Sequence, residues 1–122
     1  MCPNDEGGLM KKNEHPFTAR AGDTFTRIIT WTDENDTPIN LTDAIIEWSL
    51  KRGNQTHQWI NESQALVTNA ENGEITLHLT YEETRQLRNE SRLWWYELTV
   101  GFPATRTTIL EGTLTIDREL VE

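Results

Sequence analysis

The chain has 122 residues, enough for one domain that buries roughly two-thirds of its unfolded surface. Its 20 Asp and Glu against 11 Lys and Arg give a net charge of −9, which argues against binding to nucleic acid or to an anionic membrane surface. Cys2 is the single cysteine, which excludes an internal disulfide and zinc sites built on several thiolates. No segment has the pattern of a membrane span or of a secretory signal. We therefore expect synthesis in a reducing cytoplasm.

The first sixteen residues are polar and show no hydrophobic period. Such a segment has too little apolar surface to join a core, so we predict an N-terminal arm over residues 1–16. A single folded domain should then cover residues 17–122. If the arm contacts a partner, its two adjacent positive charges, Lys11 and Lys12, are candidate partner-binding residues.

The first predicted strand covers residues 24–32 and follows a Gly22-Asp23 turn. Its apolar residues recur with the period of two that is typical of a strand with one buried face, although Arg27 interrupts the pattern. The residues expected to face the core are Phe25, Ile29 and Trp31. The strand stops in an acidic loop over residues 33–36, which we predict to be solvated.

A second strand is predicted over residues 44–52, because apolar and polar residues alternate throughout it. Its inward residues should be Ala44, Ile46, Trp48 and Leu50. The Gly53-Asn54 pair then predicts a turn. Residues 57–68 alternate only weakly, so we predict one or two irregular strands there.

A turn at Asn72-Gly73 precedes a third clear strand over residues 74–80. Thr80 and Glu83 then fit a capping box, in which each side chain satisfies the backbone amide of the other residue. A short helix of about Tyr81 to Arg88 should follow.

Two final strands are predicted over residues 93–100 and 107–117, the first ending at Gly101-Phe102-Pro103. Their inward residues should be Trp94, Tyr96, Leu98, Val100, Leu110, Leu114 and Ile116. Short strands at regular spacing with one short helix predict an all-β fold, an immunoglobulin-like antiparallel β-sandwich without its disulfide. A β-barrel is the main alternative.

Motifs for catalysis or for cofactor binding are missing from the sequence. The three histidines, His15, His57 and His78, are far apart and show no metal-ligand spacing, and we expect the last two to be solvated. The acidic loop 33–36 offers too few carboxylates for calcium and is followed at once by Pro38. We therefore predict a protein that is not an enzyme and has no cofactor or metal site.

Two tryptophans are the aromatic candidates for partner binding. Trp95 falls on the opposite face of its strand from Trp94, and Trp59 lies in the weakly patterned segment. An outward tryptophan can anchor a protein interface or stack on a sugar ring, because its large flat surface gains much from burial. Either tryptophan could equally lie beneath the polar arm.

Several short motifs distinguish the chain from a generic sandwich: Gly22-Asp23-Thr24-Phe25, Trp31-Thr32-Asp33, Pro38-Ile39-Asn40-Leu41-Thr42, Gly73-Glu74-Ile75, Glu82-Glu83-Thr84 and Tyr96-Glu97-Leu98-Thr99-Val100. Together they resemble a group of small tailed-phage virion proteins, in particular the N-terminal domain of the upper baseplate protein family. That domain is an immunoglobulin-like module that fastens receptor-binding parts to a tail. The resemblance spans residue 22 to about residue 116, although Thr37 and Asp43 stand where the family often has glycine. It implies no catalytic residues.

These observations predict a bacteriophage virion structural protein, an adaptor of the tail, baseplate or tail-fibre region that is assembled in the host cytoplasm and located in the virion. Its partners would be other virion proteins and further copies of itself in a symmetric homo-oligomer, bound through the arm and exposed strand edges. Three alternatives remain open. They are a capsid decoration (cement) protein, a carbohydrate-binding β-sandwich with Trp59 and Trp95 as stacking platforms, and a bacterial adhesion or periplasmic sandwich domain.

Overall fold

The computed structural model describes residues 15–119 of the chain. Lys11 and Lys12 of the predicted arm lie outside the described residues. The described part contains eight strands and one helix, bounded as follows: β1 Phe17–Arg20, β2 Phe25–Thr30, β3 Ile45–Arg52, β4 Gln55–Ile60, β5 Ala65–Asn69, β6 Glu74–Leu79, α1 Tyr81–Glu90, β7 Leu93–Phe102 and β8 Thr105–Asp117.

The strands form two sheets that pack face to face. The large sheet has the strand order β1-β8-β7-β3-β4, and the small sheet has the order β2-β6-β5. Apolar side chains from both sheets are buried between them, as expected for a two-layer sandwich. The predicted all-β sandwich is therefore confirmed, and the alternative of a closed barrel is not.

The strand order is that of an immunoglobulin-like sandwich. β2, β6 and β5 occupy the positions of the B, E and D strands, while β3, β7 and β8 occupy those of C, F and G, and β4 adds a C′ strand. One pairing differs from the predicted antiparallel arrangement: β1 runs parallel to β8, with Phe17 opposite Leu114. No hairpin joins β1 to β8, so the short connection that enforces antiparallel pairing elsewhere does not act on it.

Large aromatic side chains fill the centre of the sandwich. Trp48 of β3 and Trp94 of β7 are fully buried, and Tyr96 is nearly so. Phe17 lies between the sheets, because its ring stacks on Tyr96 at 5.3 Å and meets Phe25 of β2 edge-on at 5.9 Å. Each buried ring removes about 150–250 Å² from water, which offsets the modest hydrophobic content of 35%.

The weakly patterned segment 57–68 lies in two strands, of which β4 is regular and β5 has the expected irregularity, between Val67 and Asn69. β4 pairs with β3 in the large sheet, and β5 pairs with β6 in the small sheet, so the chain crosses from one sheet to the other between them. Both are edge strands with few fully buried residues, which is why their alternation is faint in the sequence.

Helix α1 begins as predicted, with a complete capping box. The Thr80 hydroxyl accepts from the Glu83 amide at 3.1 Å, and the Glu83 carboxylate accepts from the Thr80 amide at 2.8 Å. The helix continues beyond the predicted end to Glu90. Ser91 is its C-cap and donates its backbone N–H to the Leu87 carbonyl at 2.8 Å, which extends the hydrogen-bond ladder past the predicted stop.

The last hairpin is longer than predicted. β7 does not end at Gly101 but continues through Phe102, which pairs with Thr105 of β8 across a two-residue turn. A register shift in β8 opposite Leu98 and Thr99 buries Ile109, whereas the predicted core residue Leu110 is only half-buried. Within residues 15–119, the single helix is too short and too polar to cross a membrane.

Candidate protein-interaction surface

The outward surface of the large sheet, here called the outer face, carries the most exposed tryptophan. Trp95 of β7 is 58% exposed, as its phase opposite Trp94 predicts. It lies between Lys51 of β3 and Thr113 of β8, its register partners on the two neighbouring strands. Because β7 is paired with a strand on each side, the backbone that carries the Trp95 ring is fixed by hydrogen bonds on both sides.

Three aliphatic side chains share the outer face with Trp95. They are Ile45 of β3, Ile60 of β4 and Leu93 of β7, and each is between 44% and 52% exposed. Their exposure is not obvious from the sequence, because each stands next to a buried or half-buried apolar residue and forms one apolar run with it. Their phase within the strand was the signal, since each falls one residue out of step with its buried neighbour.

A shallow groove of about 230 Å³ borders Trp95. Its polar lining comes from three strands and consists of Ser49, Lys51, Glu97 and Glu111. Ligand pockets for small molecules usually measure about 300–1,000 Å³ and enclose most of the ligand. This groove is smaller and open, so it suits a single side chain or sugar ring of a larger partner better than an enclosed substrate.

An ion pair lies on the same face, away from Trp95. Arg106 of β8 donates to the Glu47 carboxylate of β3 at 3.1 Å, and Gln58 of β4 also donates to that carboxylate. Glu47 is thus held by side chains from two other strands. Together with Lys51 and the glutamates of the groove, this pair places charged and polar groups on the outer face between Trp95 and the exposed Ile45 and Ile60.

Trp59, the second candidate, is half-buried and does not project from the outer face. Its ring lies 5.3 Å from that of Trp48, and it stacks on the His57 ring at 6.1 Å with an angle of 14° between the planes. Trp59 is in register with Trp48 on the inward side of the large sheet. It therefore extends the core to the sheet edge, and the structure does not bring it together with Trp95.

His57 of β4 contacts the end of helix α1 and is half-buried, whereas the sequence predicted a solvated side chain. Its Nε2 atom lies 2.7 Å from the Glu90 carboxylate, and its ring meets Trp94 edge-on at 5.2 Å. The hydrogen bond from His57 lowers the pKa of the Glu90 carboxyl group below its ordinary value of 4.5. Since the partner of His57 comes from a distant element, local sequence carries no sign of this contact.

The chain is already attached to the large sheet at His15, within the predicted arm. The His15 amide donates to the Glu111 carbonyl at 2.7 Å, and the Tyr96 hydroxyl donates to the His15 carbonyl at 2.6 Å. Burial raises the pKa of the Tyr96 hydroxyl, so it stays a donor at any physiological pH. The folded unit thus includes at least His15 and Pro16, which the sequence assigned to the arm.

The acidic loop 33–36 closes on itself. One oxygen of the Asp33 carboxylate accepts from the amides of Asn35 and Thr37 at 2.8 and 3.0 Å, which is the geometry of an Asx turn. Among residues 15–119, no three His, Cys, Asp or Glu side chains lie close enough together to hold a metal ion. The Asp33 carboxylate therefore serves to close the turn.

No protein-family model matches the chain, and no curated protein matches it in sequence. Solved structures do resemble it. A structure of voltage-gated sodium channel beta subunits, from work on their multimeric cell-adhesive interactions, aligns with a TM-score of 0.52 and 10% identity over 93% of this chain and 98% of that one. At this identity the likeness shows the fold alone, and it confirms the immunoglobulin-like sandwich.

Two further solved structures align less closely. The extracellular domain of the sodium channel beta4 subunit, described as a parallel homodimer, has a TM-score of 0.48 and 11% identity over 96% of each chain. A candidate glycoside hydrolase from Bacteroides vulgatus has a TM-score of 0.49 and 10% identity over 84% of this chain. The chain spans only 16% of that hydrolase.

Proposed function

We propose that the chain is a protein–protein attachment module and that the outer face around Trp95 is its docking surface. The observation that carries this proposal is the 58% exposure of Trp95 in the middle of a paired sheet, with Ile45, Ile60 and Leu93 exposed on the same face. Exposing these side chains to water brings the folded monomer no benefit, whereas burying them against a partner would be favourable.

The composition of the face also fits an interface. Interfaces place aromatic and aliphatic side chains at the centre and polar groups at the rim, and tryptophan is among the residues that contribute most to binding. Here Lys51, Glu97 and Glu111 border Trp95, and each can pair with an opposite charge on a partner. The shallow groove next to the indole ring would accept one side chain of that partner.

We further propose that the module belongs to a tailed-phage virion, as an adaptor of the tail, baseplate or tail-fibre region. This setting is supported by the resemblance of the motifs from Gly22-Asp23 to Tyr96-Glu97-Leu98-Thr99-Val100 to the upper baseplate protein family. In a symmetric particle of this kind the chain would act as a homo-oligomer next to other virion proteins. Its work would be assembly and not catalysis.

The proposal is tested by measuring how much of each variant is incorporated into purified phage particles. Trp95→Ala removes the exposed indole, and Ile28→Ala is the matched control because Ile28 is 63% exposed on the outward side of the small sheet. We expect Trp95→Ala to be depleted at least tenfold from purified particles, which corresponds to about 1.4 kcal/mol of lost binding, while Ile28→Ala is incorporated normally. Equal incorporation of the two variants would contradict the docking surface.

Labelling the chain in intact particles tests its location. Signal at the tail is expected, whereas signal over the shell would favour the capsid decoration protein instead. Absence of the chain from purified particles, measured by mass spectrometry, would remove the virion setting altogether. In that case the binding of Trp95→Ala and Ile28→Ala to any partner protein that is recovered would still test the docking surface.

A carbohydrate-binding module is the second candidate, and the groove beside Trp95 is the observation that favours it. An indole ring next to Ser49, Lys51 and Glu97 offers both a stacking surface and hydrogen-bonding groups for a sugar. Because Trp59 is packed on Trp48, the site has one platform and not the two expected from the sequence. Glycan-array binding that disappears in Trp95→Ala would favour this candidate over the protein interface.

A further inference from the structure

The free edges of the two sheets are unequally protected. An edge strand presents unpaired backbone N–H and C=O groups, and soluble proteins usually guard such edges with charges, bulges, proline or very short strands. Among residues 15–119, the large sheet ends at β1 and β4, and the small sheet ends at β2 and β5. These four edges differ in how readily a further strand can pair with them.

Three of the edges carry a guarding feature. β1 has only four residues and includes the charged Arg20. β2 carries Arg27 on its inward side, where the guanidinium group lies 4.6 Å from the centre of the Phe25 ring. β5 is interrupted by an irregularity between Val67 and Asn69 that breaks its regular register. Each feature hinders the regular addition of another strand.

The β4 edge carries none of these features. Its sequence, Gln-Thr-His-Gln-Trp-Ile, contains no lysine, arginine, acidic residue or proline. Its register with β3 is continuous from Gln55 to Ile60, without a bulge. In an antiparallel pair every second residue turns its backbone N–H and C=O away from its neighbour, so β4 offers a regular row of such groups on its free side.

We propose that the β4 edge binds the β4 edge of a second copy of this chain, forming an antiparallel pair across a two-fold axis. This inference rests on the homo-oligomeric part of the proposed function and names the interface between copies. A neutral strand is a favourable meeting place for two chains that each carry a net charge of −9, because contact elsewhere would bring like charges together.

The charges at the two ends of β4 also favour a second copy as the occupant. Arg52 is paired with Gln55 at the first end of the strand, and Glu62 follows Ile60 at the other end. A two-fold axis brings the first end of one strand next to the last end of the other. Arg52 of each copy is then at the same end of the pair as the partner's Glu62, so opposite charges on the two copies are brought to the same end.

The alternation of side chains limits the register of the pair. Thr56, Gln58 and Ile60 are on the outer face, because they pair with outward residues of β3. Directly opposed residues of an antiparallel pair point to the same face, so a continuous sheet requires outward residues to meet outward residues. Placing Gln58 on the two-fold axis meets this condition and sets Thr56 opposite the partner's Ile60.

The first test introduces a charge at the edge. Thr56→Lys adds a lysine to the exposed outer side of β4, and Thr18→Lys adds the same residue to the exposed outer side of β1, the opposite edge of the same sheet. We expect sedimentation velocity to show a dimer for the unmodified chain and for Thr18→Lys. Thr56→Lys should sediment as a folded monomer of 14.1 kDa.

The second test is a cross-link at the axis. In a Cys2→Ser background, Gln58→Cys should oxidise to a disulfide-linked dimer, because the two thiols meet across the axis, whereas Thr18→Cys should form no disulfide-linked dimer. An unmodified chain that is monomeric at all concentrations, or a dimer unaffected by Thr56→Lys, would overturn the proposal. These results do not depend on Trp95, so a failure here is distinguishable from a failure of the docking surface.

Discussion

The side chain of Tyr96 and the backbone of His15 join the middle of β7 to the point where the chain enters the sandwich. The Tyr96 hydroxyl donates to the His15 carbonyl at 2.6 Å, and Tyr96 is only 2% exposed. Phe17, two residues further on, stacks on the same tyrosine ring. One buried side chain therefore contacts both His15 and the parallel strand β1 that follows it.

Tyr96→Phe should destabilise the protein without disturbing the ring packing. The His15 carbonyl would lose its donor, and the loss of an ordinary hydrogen bond of this kind costs about 0.5–1.5 kcal/mol of the free energy of unfolding. Urea denaturation measures this loss. Tyr81→Phe is the control, because Tyr81 is exposed on helix α1 and its change should alter stability by less than about 0.5 kcal/mol. Equal effects of the two changes would contradict the role of the hydrogen bond.

Gly112→Ala should detach His15 from β8. A Cβ atom at this position would lie 2.6 Å from the His15 carbonyl oxygen, and Gly112 has a φ of +156° that side chains disfavour. We expect a loss of about 1–3 kcal/mol and faster hydrogen exchange at the His15 amide, which bonds the Glu111 carbonyl.

Gly53→Ala is the matched control for that change. Gly53 also has a positive φ, of +57°, but a Cβ atom there would meet nothing within 4 Å. It should cost about 1–2 kcal/mol through backbone strain alone and leave the exchange of the His15 amide unchanged. Protection of His15 that survives in Gly112→Ala would show that the close approach of the two backbones is not needed.

The sequence was sufficient for features whose partners lie close along the chain. The capping box joins Thr80 to Glu83, three residues away, and both hydrogen bonds formed as predicted. The outward position of Trp95 could also be predicted from the sequence, because the side chains of a strand alternate and its neighbours Trp94 and Tyr96 face the core. In each case a local rule leaves only one arrangement.

Features that join distant segments could not be predicted in this way. The contact between His57 and Glu90 spans 33 residues and depends on how the helix packs across the end of the large sheet. The parallel pairing of β1 with β8 joins opposite ends of the domain, and period-two alternation is the same for parallel and antiparallel neighbours. Exposed Ile45 and Ile60 were missed although their phase within the strand points outward, because each adjoins an inward apolar residue in the sequence.

Thr84→Val should loosen the contact between helix α1 and the turn before β2. The Thr84 hydroxyl is fully buried, accepts from the Gly22 amide at 3.1 Å and lies within donor distance of the Asp23 carbonyl. Valine keeps the shape but leaves the Gly22 amide without an acceptor, so we expect a loss of about 1–3 kcal/mol in thermal or urea unfolding. Thr113→Val, on the outer face, is the control and should change stability by less than about 0.5 kcal/mol.

Glu90→Gln should reduce the loss of stability in acid. The pKa of Glu90 is lowered in the folded protein, mainly by the hydrogen bond from His57, so folding favours the charged carboxylate. A group of this kind stabilises the fold at pH values above its unfolded pKa, and the stabilisation is lost as the pH falls through the lower folded pKa. The free energy of unfolding of the unmodified protein should therefore fall below about pH 4.5, and Glu90→Gln should fall less steeply over the same range. Glu71→Gln, a change at an exposed carboxylate in the turn before β6, should follow the unmodified protein. Parallel pH profiles for the unmodified protein and Glu90→Gln, measured by urea unfolding from neutral pH into acid, would show that the His57–Glu90 contact contributes nothing to stability.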